Sequence, residues 1–320
     1  MLALWAIMEL GGDRAWLATV LLYGPRHYYP LPLVFLVPAA LASPWRRSLL
    51  WPLTISAAVA LGPLLDRCVP WYATPFENDA RVTVLTLNAQ RASVRPARLR
   101  ELVERVGADV VLLQSANRRW DWPDGWQVRH RGELAIASRW PIVAVAAGAP
   151  RHDEPFAEHG LLTTVRAPFA EIAVASLYLP SPRQGLEAVI DPTTLLDLNG
   201  VGSLERSIAA RRRGSRVVSE RLAEQELPLL LGGDFNLTTN SRIFRKFWTP
   251  YTDAFSTAGS GPGFTKRTKV RWQVHGTRID HILVDEHWRA VRAWVEEDVG
   301  SDHRPLVAEI VWDPGQSDIP

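Results

Sequence analysis

The sequence predicts a two-sheet α/β sandwich behind an N-terminal pair of apolar helices. Three observations predict it. From residue 82 onward, short apolar runs of strand length interleave with a few helical periodicities, and no internal repeat appears. Residues 28–45 and 48–65 are two uncharged runs of 18 residues each, the lower limit for crossing a bilayer. Against them, the composition as a whole, 47% hydrophobic and 22% charged, is that of a globular protein. The chain of 320 residues exceeds one ordinary domain without demanding two.

Residues 1–70 read as membrane-anchoring helices. Arg46 and Arg47 separate the two uncharged runs, and a weaker apolar stretch at 15–23 precedes them. Glu9, Asp13 and Arg14 interrupt any continuous first span, so the passes number two or three. Pro30, Pro32, Pro38, Pro44, Pro52 and Pro63 fall in or beside the runs, which membrane helices tolerate when neighbours satisfy the freed carbonyls. Two rival readings stand beside this one. A cleaved signal peptide conflicts with the missing basic start and with apolar sequence continuing past residue 60. A buried hairpin of a soluble protein is the other. The positive-inside rule sets Arg46 and Arg47 in the cytoplasm and everything after Asp66 outside it, periplasmic or extracellular in a bacterium. The single cysteine, Cys68, cannot form an internal disulfide, so cysteine usage does not test this placement.

Residues 71–80 form a short linker, and 81–313 the sandwich. Residues 82–87 are strand-like. Leu99, Leu102, Val103 and Val106 give 96–106 a helical face. Residues 109–113 are a continuous apolar strand, and 134–137 and 142–146 are short ones. Residues 161–165 and 172–179 pair around a turn at Pro168. Gly, Pro, Asp and Asn mark 185–203 as a loop or lid. Residues 204–222 form an amphipathic helix with Ile208, Val217, Val218 and Leu222 inward, and its Arg211-Arg212-Arg213 run is a solvated face or a phosphate-facing patch. Residues 229–231 lead into a turn, 266–272 are basic and read as a surface loop rather than the alternative, a contact to a phosphate backbone, and 279–284 and 306–312 are late strands. The tail, 314–320, is loose.

Polar clusters end several of these strands. Gly233-Asp234-Phe235-Asn236 places a carboxylate and an amide two residues apart, which in a strand would point to one spot. A carboxylate beside a neutral amide suits a hard cation and a phosphate oxygen. An Asx turn is the plainer reading. Arg278-Ile279-Asp280-His281 and Ser301-Asp302-His303 each set an acid beside a histidine at the border of an apolar strand. Upstream, the run of residues 82–87 ends on Asn88.

Taken in order, with Leu112-Leu113-Gln114, Ser138-Arg139-Trp140-Pro141 and Ser176-Leu177-Tyr178-Leu179-Pro180 between them, these motifs resemble the endonuclease/exonuclease/phosphatase superfamily. The resemblance runs from about residue 81 to 312. It implies a four-layer α/β/β/α sandwich of the DNase-like type with its site at one edge between the sheets. It also implies hydrolysis of a phosphodiester or phosphomonoester with Mg²⁺ or Mn²⁺. His303 would meet the phosphate, Asp280 orient His303, and Asp234 position or deprotonate the attacking water. Asn236 would bond the phosphate, Asn88 help hold substrate and metal, and Asp302 ligate the metal. Tyr178 stands where many members have histidine and can donate to a phosphate oxygen. Arg139 reads as a strand-end anchor, and His281 as a packing residue.

One position departs from the pattern. Where the family has its principal metal glutamate, this chain has Ser115, a neutral ligand, with Asn117 or Glu133 as possible compensation. Metal affinity follows charge count. The alternative to a membrane-anchored hydrolase is therefore a family member that binds a phosphorylated ligand without cutting it. A net charge of +2 does not decide between nucleic acid and phospholipid headgroups as substrate. The membrane is the other expected partner, and no obligate protein partner is evident.

Overall fold

A computed structural model describes residues 1–70, 80–90, 93–143, 155–190, 199–270 and 273–313. The expected linker at 71–80 lies outside the described residues except for Ala80, as does the tail at 314–320.

Two six-stranded sheets face one another. The first contains β1 (Arg81–Asn88), β2 (Val110–Gln114), β3 (Gln127–Arg131), β4 (Leu134–Ser138), β13 (Trp288–Val295) and β14 (Leu306–Trp312), in the order β13-β14-β1-β2-β4-β3. The second contains β5 (Ile142–Val143), β6 (Gly160–Arg166), β7 (Glu171–Tyr178), β8 (Leu229–Asp234), β9 (Thr252–Asp253) and β12 (Asp280–Val284), in the order β5-β6-β7-β8-β12-β9. The strands expected at 82–87, 109–113, 161–165, 172–179, 279–284 and 306–312 all form. Val84, Leu112, Ile136, Val174, Leu230 and Ile282 meet between the sheets. Helix α5 (Pro96–Val106) covers the outer face of the first sheet with Leu99, Leu102 and Val103. The long helix α7 (Asn199–Leu222) covers the second with Leu204, Ile208, Val218 and Leu222. The result is the four-layer α/β/β/α sandwich. Strands covered on both faces are almost wholly apolar: every residue of β2 and β4 is buried, and only Gln114 and Ser138, at their ends, are polar.

Each sheet contains one parallel pair, and these pairs set the polar strand ends level. β1 runs parallel to β2 with Asn88 opposite Gln114, and β7 parallel to β8 with Tyr178 opposite Asp234. β12 is antiparallel to β8 and sets Asp280 opposite Asp234. Gln114 ties the layers together, donating from Nε2 to Ser176 Oγ at 3.1 Å.

Four expectations change. The expected loop at 185–203 is mostly helical: α6 (Arg183–Ile190) precedes α7, which begins at Asn199, and 191–198 lie outside the described residues. Gly185 hid α6 from the sequence, yet this glycine is where Leu204 of α7 packs closest. The expected surface loop at 266–272 begins a hairpin of β10 (Lys266–Val270) and β11 (Gln273–Thr277). In the Arg211-Arg212-Arg213 run, Arg212 and Arg213 are exposed as a solvated face requires, but Arg211 is neither solvated nor aimed at phosphate. It is fully buried and ion-paired to Asp13 at 2.9 Å. Finally, the first uncharged run yields only α3 (Leu31–Ala42), because Pro30 caps its start and Ser43-Pro44 ends it. Twelve residues span about 18 Å, short of the roughly 30 Å hydrocarbon core. The partner helix α4 (Arg46–Leu61) continues into a 3₁₀ turn, and residues Arg46–Leu65 form the one helix among the described residues long and apolar enough to cross.

The first 30 residues pack against the sandwich. Helices α1 (Leu2–Gly11) and α2 (Trp16–Tyr23) turn at Asp13, whose carboxylate is held by Arg211 and by the hydroxyl of Ser241, the residue that caps α8 (Arg242–Phe247). Tyr23 Oη accepts from Arg211 Nη1 at 2.7 Å and donates to the carbonyl of Asn236 at 3.1 Å. Arg26 donates to Asn240 Oδ1 at 2.9 Å. In contrast, α3 and α4 leave Val34, Phe35, Leu36, Trp45, Trp51 and Leu61 exposed.

Candidate active site

Strand ends from both sheets meet at one edge. β8 stops at Asp234 because Gly233 adopts φ +149° and Asn236 is left-handed at +51°. Strand alternation therefore ends before Asn236, and the reading that put Asp234 and Asn236 on one face by strand spacing does not hold. An Asx turn links them instead: the Asn236 N–H donates to Asp234 Oδ1 at 2.9 Å. The Asn236 amide also donates to the Leu179 carbonyl at 2.8 Å, which fixes the turn against the end of β7.

Across the sheets, Asn88 Nδ2 donates to Asp234 Oδ2 at 2.9 Å. His303 Nδ1 meets Asp280 Oδ2 at 2.9 Å. Its Nε2 faces Asp234 Oδ2 at 3.7 Å and Asp302 Oδ1 at 3.9 Å, beyond hydrogen-bonding distance. Asp234, Asp280 and His303 are all buried, with a donor atom from each within 4.8 Å of the others. Ser301 steers this segment, donating to the Asn88 carbonyl at 2.7 Å and accepting from the His303 N–H at 3.1 Å. Tyr178 stands beside them half-buried, its phenol close to the side chains of Ser115 and Asn88. Thus Asn88, Ser115, Tyr178, Asp234, Asn236, Asp280 and His303 share one corner, with Asp302 at its rim.

Electrostatics follow from this crowding. Burial, with Asp280 adding its charge, pushes the Asp234 carboxyl up to about 6. Burial also works against a charged His303, but the carboxylates of Asp280 and Asp234 outweigh it and hold the imidazole above its ordinary value. Burial and Asp234 push the Tyr178 phenol up, so it is a neutral donor at neutral pH. A carboxylate poised near its working pH beside a cationic imidazole can take a proton from water and neutralise a developing oxyanion.

Other motif residues serve the frame. His281 is buried, with Nδ1 on Asp253 Oδ2 at 2.6 Å and Nε2 on the Leu237 carbonyl at 2.8 Å. Arg139 pairs with Asp109 at 2.8 Å, a strand-end anchor as read. Arg278 is buried between Asp253 and Asp66, each at 3.3 Å. Thr265, whose role the sequence did not reveal, accepts the N–H groups of Ile279 and Asp280 at 3.2 and 3.1 Å. The Phe264-Thr265 pair was the available signal.

The donor set at the rim suits a hard divalent ion in kind. Asp302, Asn88 and Ser115 offer oxygen. It is short of charge, because Asp302 alone is anionic among the three and already forms an ion pair with Lys266. Ser115 is buried with φ +52°, and its cross-strand neighbour is Glu133, whose carbonyl accepts from the Ala116 N–H at 2.8 Å.

A family model described as the endonuclease/exonuclease/phosphatase family matches residues 85–303. The fold is similar to a 3′ phosphatase, NExo, from Neisseria bound to a product DNA hairpin, at 21% identity over 72% of this chain and 100% of that one, with a TM-score of 0.51. An AP endonuclease from Archaeoglobus fulgidus is similar at 18% identity, 72% and 99% coverage and a TM-score of 0.50. So is an endonuclease/exonuclease/phosphatase from Beutenbergia cavernae, at 17% identity, 73% and 72% coverage and a TM-score of 0.50. No curated protein matches the chain in sequence.

Proposed function

The chain belongs to the endonuclease/exonuclease/phosphatase family of phosphoric ester hydrolases, and on that premise we propose that it is a membrane-anchored hydrolase that uses Mg²⁺ or Mn²⁺ outside the cytoplasm. The observation that carries the hydrolytic reading is the convergence of Asp234, Asp280 and His303 within 4.8 Å at the mouth between the sheets. Asp234, steadied by Asn88, accepts the proton of the attacking water. Asp280 holds Nδ1 of His303, so that Nε2 is presented to a non-bridging phosphate oxygen. Tyr178 donates a further hydrogen bond to the phosphate. Asn236 shapes the turn and presents its amide beside Asp234. Asp302, with Asn88 and Ser115, would hold the ion, which when bound supplies charge neutralisation to the phosphate and the leaving oxygen.

Membrane anchoring is supported by the apolar side chains that α3 and α4 leave uncovered, since exposed apolar surface of this extent marks an interaction site. Arg46 and Arg47 sit at the tip of the hairpin and, by the positive-inside rule, mark the cytoplasmic side. The DNA-bound Neisseria phosphatase supports nucleic acid as a substrate class. The anchor supports phospholipid headgroups.

The test is ester cleavage by the purified full chain in detergent, with metal varied: inorganic phosphate from a 3′-phosphorylated oligonucleotide, strand scission of duplex DNA, and headgroup release from phospholipid. His303→Gln is expected to lower kcat by about 10²–10⁴-fold. A folded protein that cleaves none of them overturns the proposal. The second reading, a binder of a phosphorylated ligand, is favoured by the neutral Ser115 and by the engagement of Asp302 with Lys266. It predicts no saturable divalent-ion binding, and none gained in Ser115→Glu.

A further inference from the structure

Lys266 is the first residue of β10, and its backbone bridges to His303. The neighbouring Arg267 N–H donates to the Asp302 carbonyl at 2.9 Å, and the Arg304 N–H donates to the Thr265 carbonyl. The hairpin is thus laced to the segment that carries Asp302 and His303, and the Lys266 side chain is delivered to the site by its backbone. A lysine on an edge strand ordinarily extends into water. Here the side chain retains only 18% of its exposure, and the ammonium contacts the Asp302 carboxylate, itself 29% exposed. The backbone bridge to His303 brings this positive charge near the catalytic ring, where it disfavours a second positive charge on the imidazole.

The charge count at this rim is unusual for a site that must hold a divalent cation. Asp302 is the one anion of the three candidate ligands, and Lys266 cancels it. We propose that Lys266 is a phosphate-binding residue that shares Asp302 with the metal. When an ion occupies Asp302, the ammonium is released toward a non-bridging oxygen of the ester beside His303. Without an ion, it stays on Asp302 and keeps that carboxylate from repelling the phosphate. The residue thereby supplies positive charge to a corner where Ser115 lowers the ligand charge available to the metal. This role rests on the hydrolase reading, but its test does not depend on turnover.

The experiment measures two affinities on the full chain in detergent by titration calorimetry: Mn²⁺ alone, and inorganic phosphate with Mn²⁺ present. Lys266→Gln removes a competing cation and is expected to tighten Mn²⁺ by about tenfold, the scale of one charge at a partly exposed site. It is expected to weaken phosphate by about tenfold for the same reason. Lys266→Arg keeps the charge and is expected to hold both affinities near those of the wild type, which also guards against a misfolded glutamine variant. Either affinity unmoved in a folded Lys266→Gln overturns the proposal. Hydrolysis is read separately: if the wild type cuts no ester, the hydrolase reading fails, and the two affinities still decide the role of Lys266.

Discussion

Arg211→Met is the perturbation that most directly tests how the N-terminal helices are joined to the sandwich. Arg211 and Asp13 are both fully buried, and Nη2 lies 2.9 Å from Oδ1. Removing one partner of such a pair strands the other as a bare charge, which typically costs about 3–5 kcal/mol. The lower end applies here. The Nη2–Oδ1 contact lacks hydrogen-bond alignment, Arg211 Nε finds no acceptor among the described residues, and Asp13 keeps the Ser241 hydroxyl. We therefore expect a loss of about 3 kcal/mol, a large share of the roughly 5–15 kcal/mol that keeps a typical domain folded. Asp13→Asn should cost a similar amount. The double variant should cost less than the sum by about 2 kcal/mol, because no charge remains orphaned. The assay is denaturant unfolding of the full chain and the three variants in one detergent. A second readout is catalytic: Arg211 also holds Tyr23 Oη, which donates to the Asn236 carbonyl, so kcat should fall at temperatures where the variant remains folded. A loss under about 1 kcal/mol, or strict additivity, would refute a brace built on this pair.

Three further outcomes are expected. The pH profile of kcat/KM should rise with a midpoint near the Asp234 value of about 6 and fall again as His303, held above its ordinary value, gives up its proton; a flat profile between about pH 5 and 7 would remove Asp234 as the base. Stability carries the opposite sign. Folding raises the affinity of Asp234 for its proton, so its contribution is present at low pH and is lost as pH climbs from 3.8 through about 6. Asp234→Asn should therefore gain stability relative to wild type over that interval, measured by denaturant midpoint. Gly233→Ala should be severe, because a Cβ there would fall 2.0 Å from the Leu177 carbonyl oxygen at a φ of +149°. We expect a loss of about 3 kcal/mol or more, seen as reduced yield of folded protein, and a neutral substitution would contradict the backbone path through the turn.

The apolar strands were legible because burial on both faces leaves a continuous hydrophobic run, as in Val110–Gln114 and Leu229–Leu231. β3 was not, since Gln127–Arg131 is an edge strand with three polar, exposed positions. β13 was missed for a related reason: Arg289 and Arg292 sit on its outer face, and a bulge between Ala290 and Arg292 breaks the alternation. Within the site, motifs named the residues but could not give their partners. Arg278 and Asp280 lie two positions apart, yet Arg278 is buried against Asp66 and Asp253 while Asp280 serves His303. The Asp13–Arg211 pair spans 198 positions, and Lys266 reaches Asp302 across a hairpin read as a loop. Charged residues pair over such separations only once topology is fixed, and local spacing carries no trace of it.

That topology bears on the substrate. Helices α3 and α4 leave the sandwich after Arg26 and return at Asp66, and both feet are tied to the segment that follows the Asp234 turn. Arg26 reaches Asn240 and Thr238, and Asp66 accepts from Thr239 at 3.1 Å. Asp66 also pairs with Arg278, two residues before Asp280, and the Cys68 backbone exchanges hydrogen bonds with Gly261, on the approach to Lys266. The segments next to β8, β10 and β12, which carry Asp234, Lys266 and Asp280, are therefore touched by the residues that bracket α3 and α4. An inserted hairpin would hold this edge of the sandwich close to the bilayer surface, and a chain cut at residue 80 would lose every one of these contacts. Esters carried by the membrane surface accordingly come first in the hydrolysis panel, and the full chain, with residues 1–70 in place, is the form in which to test them.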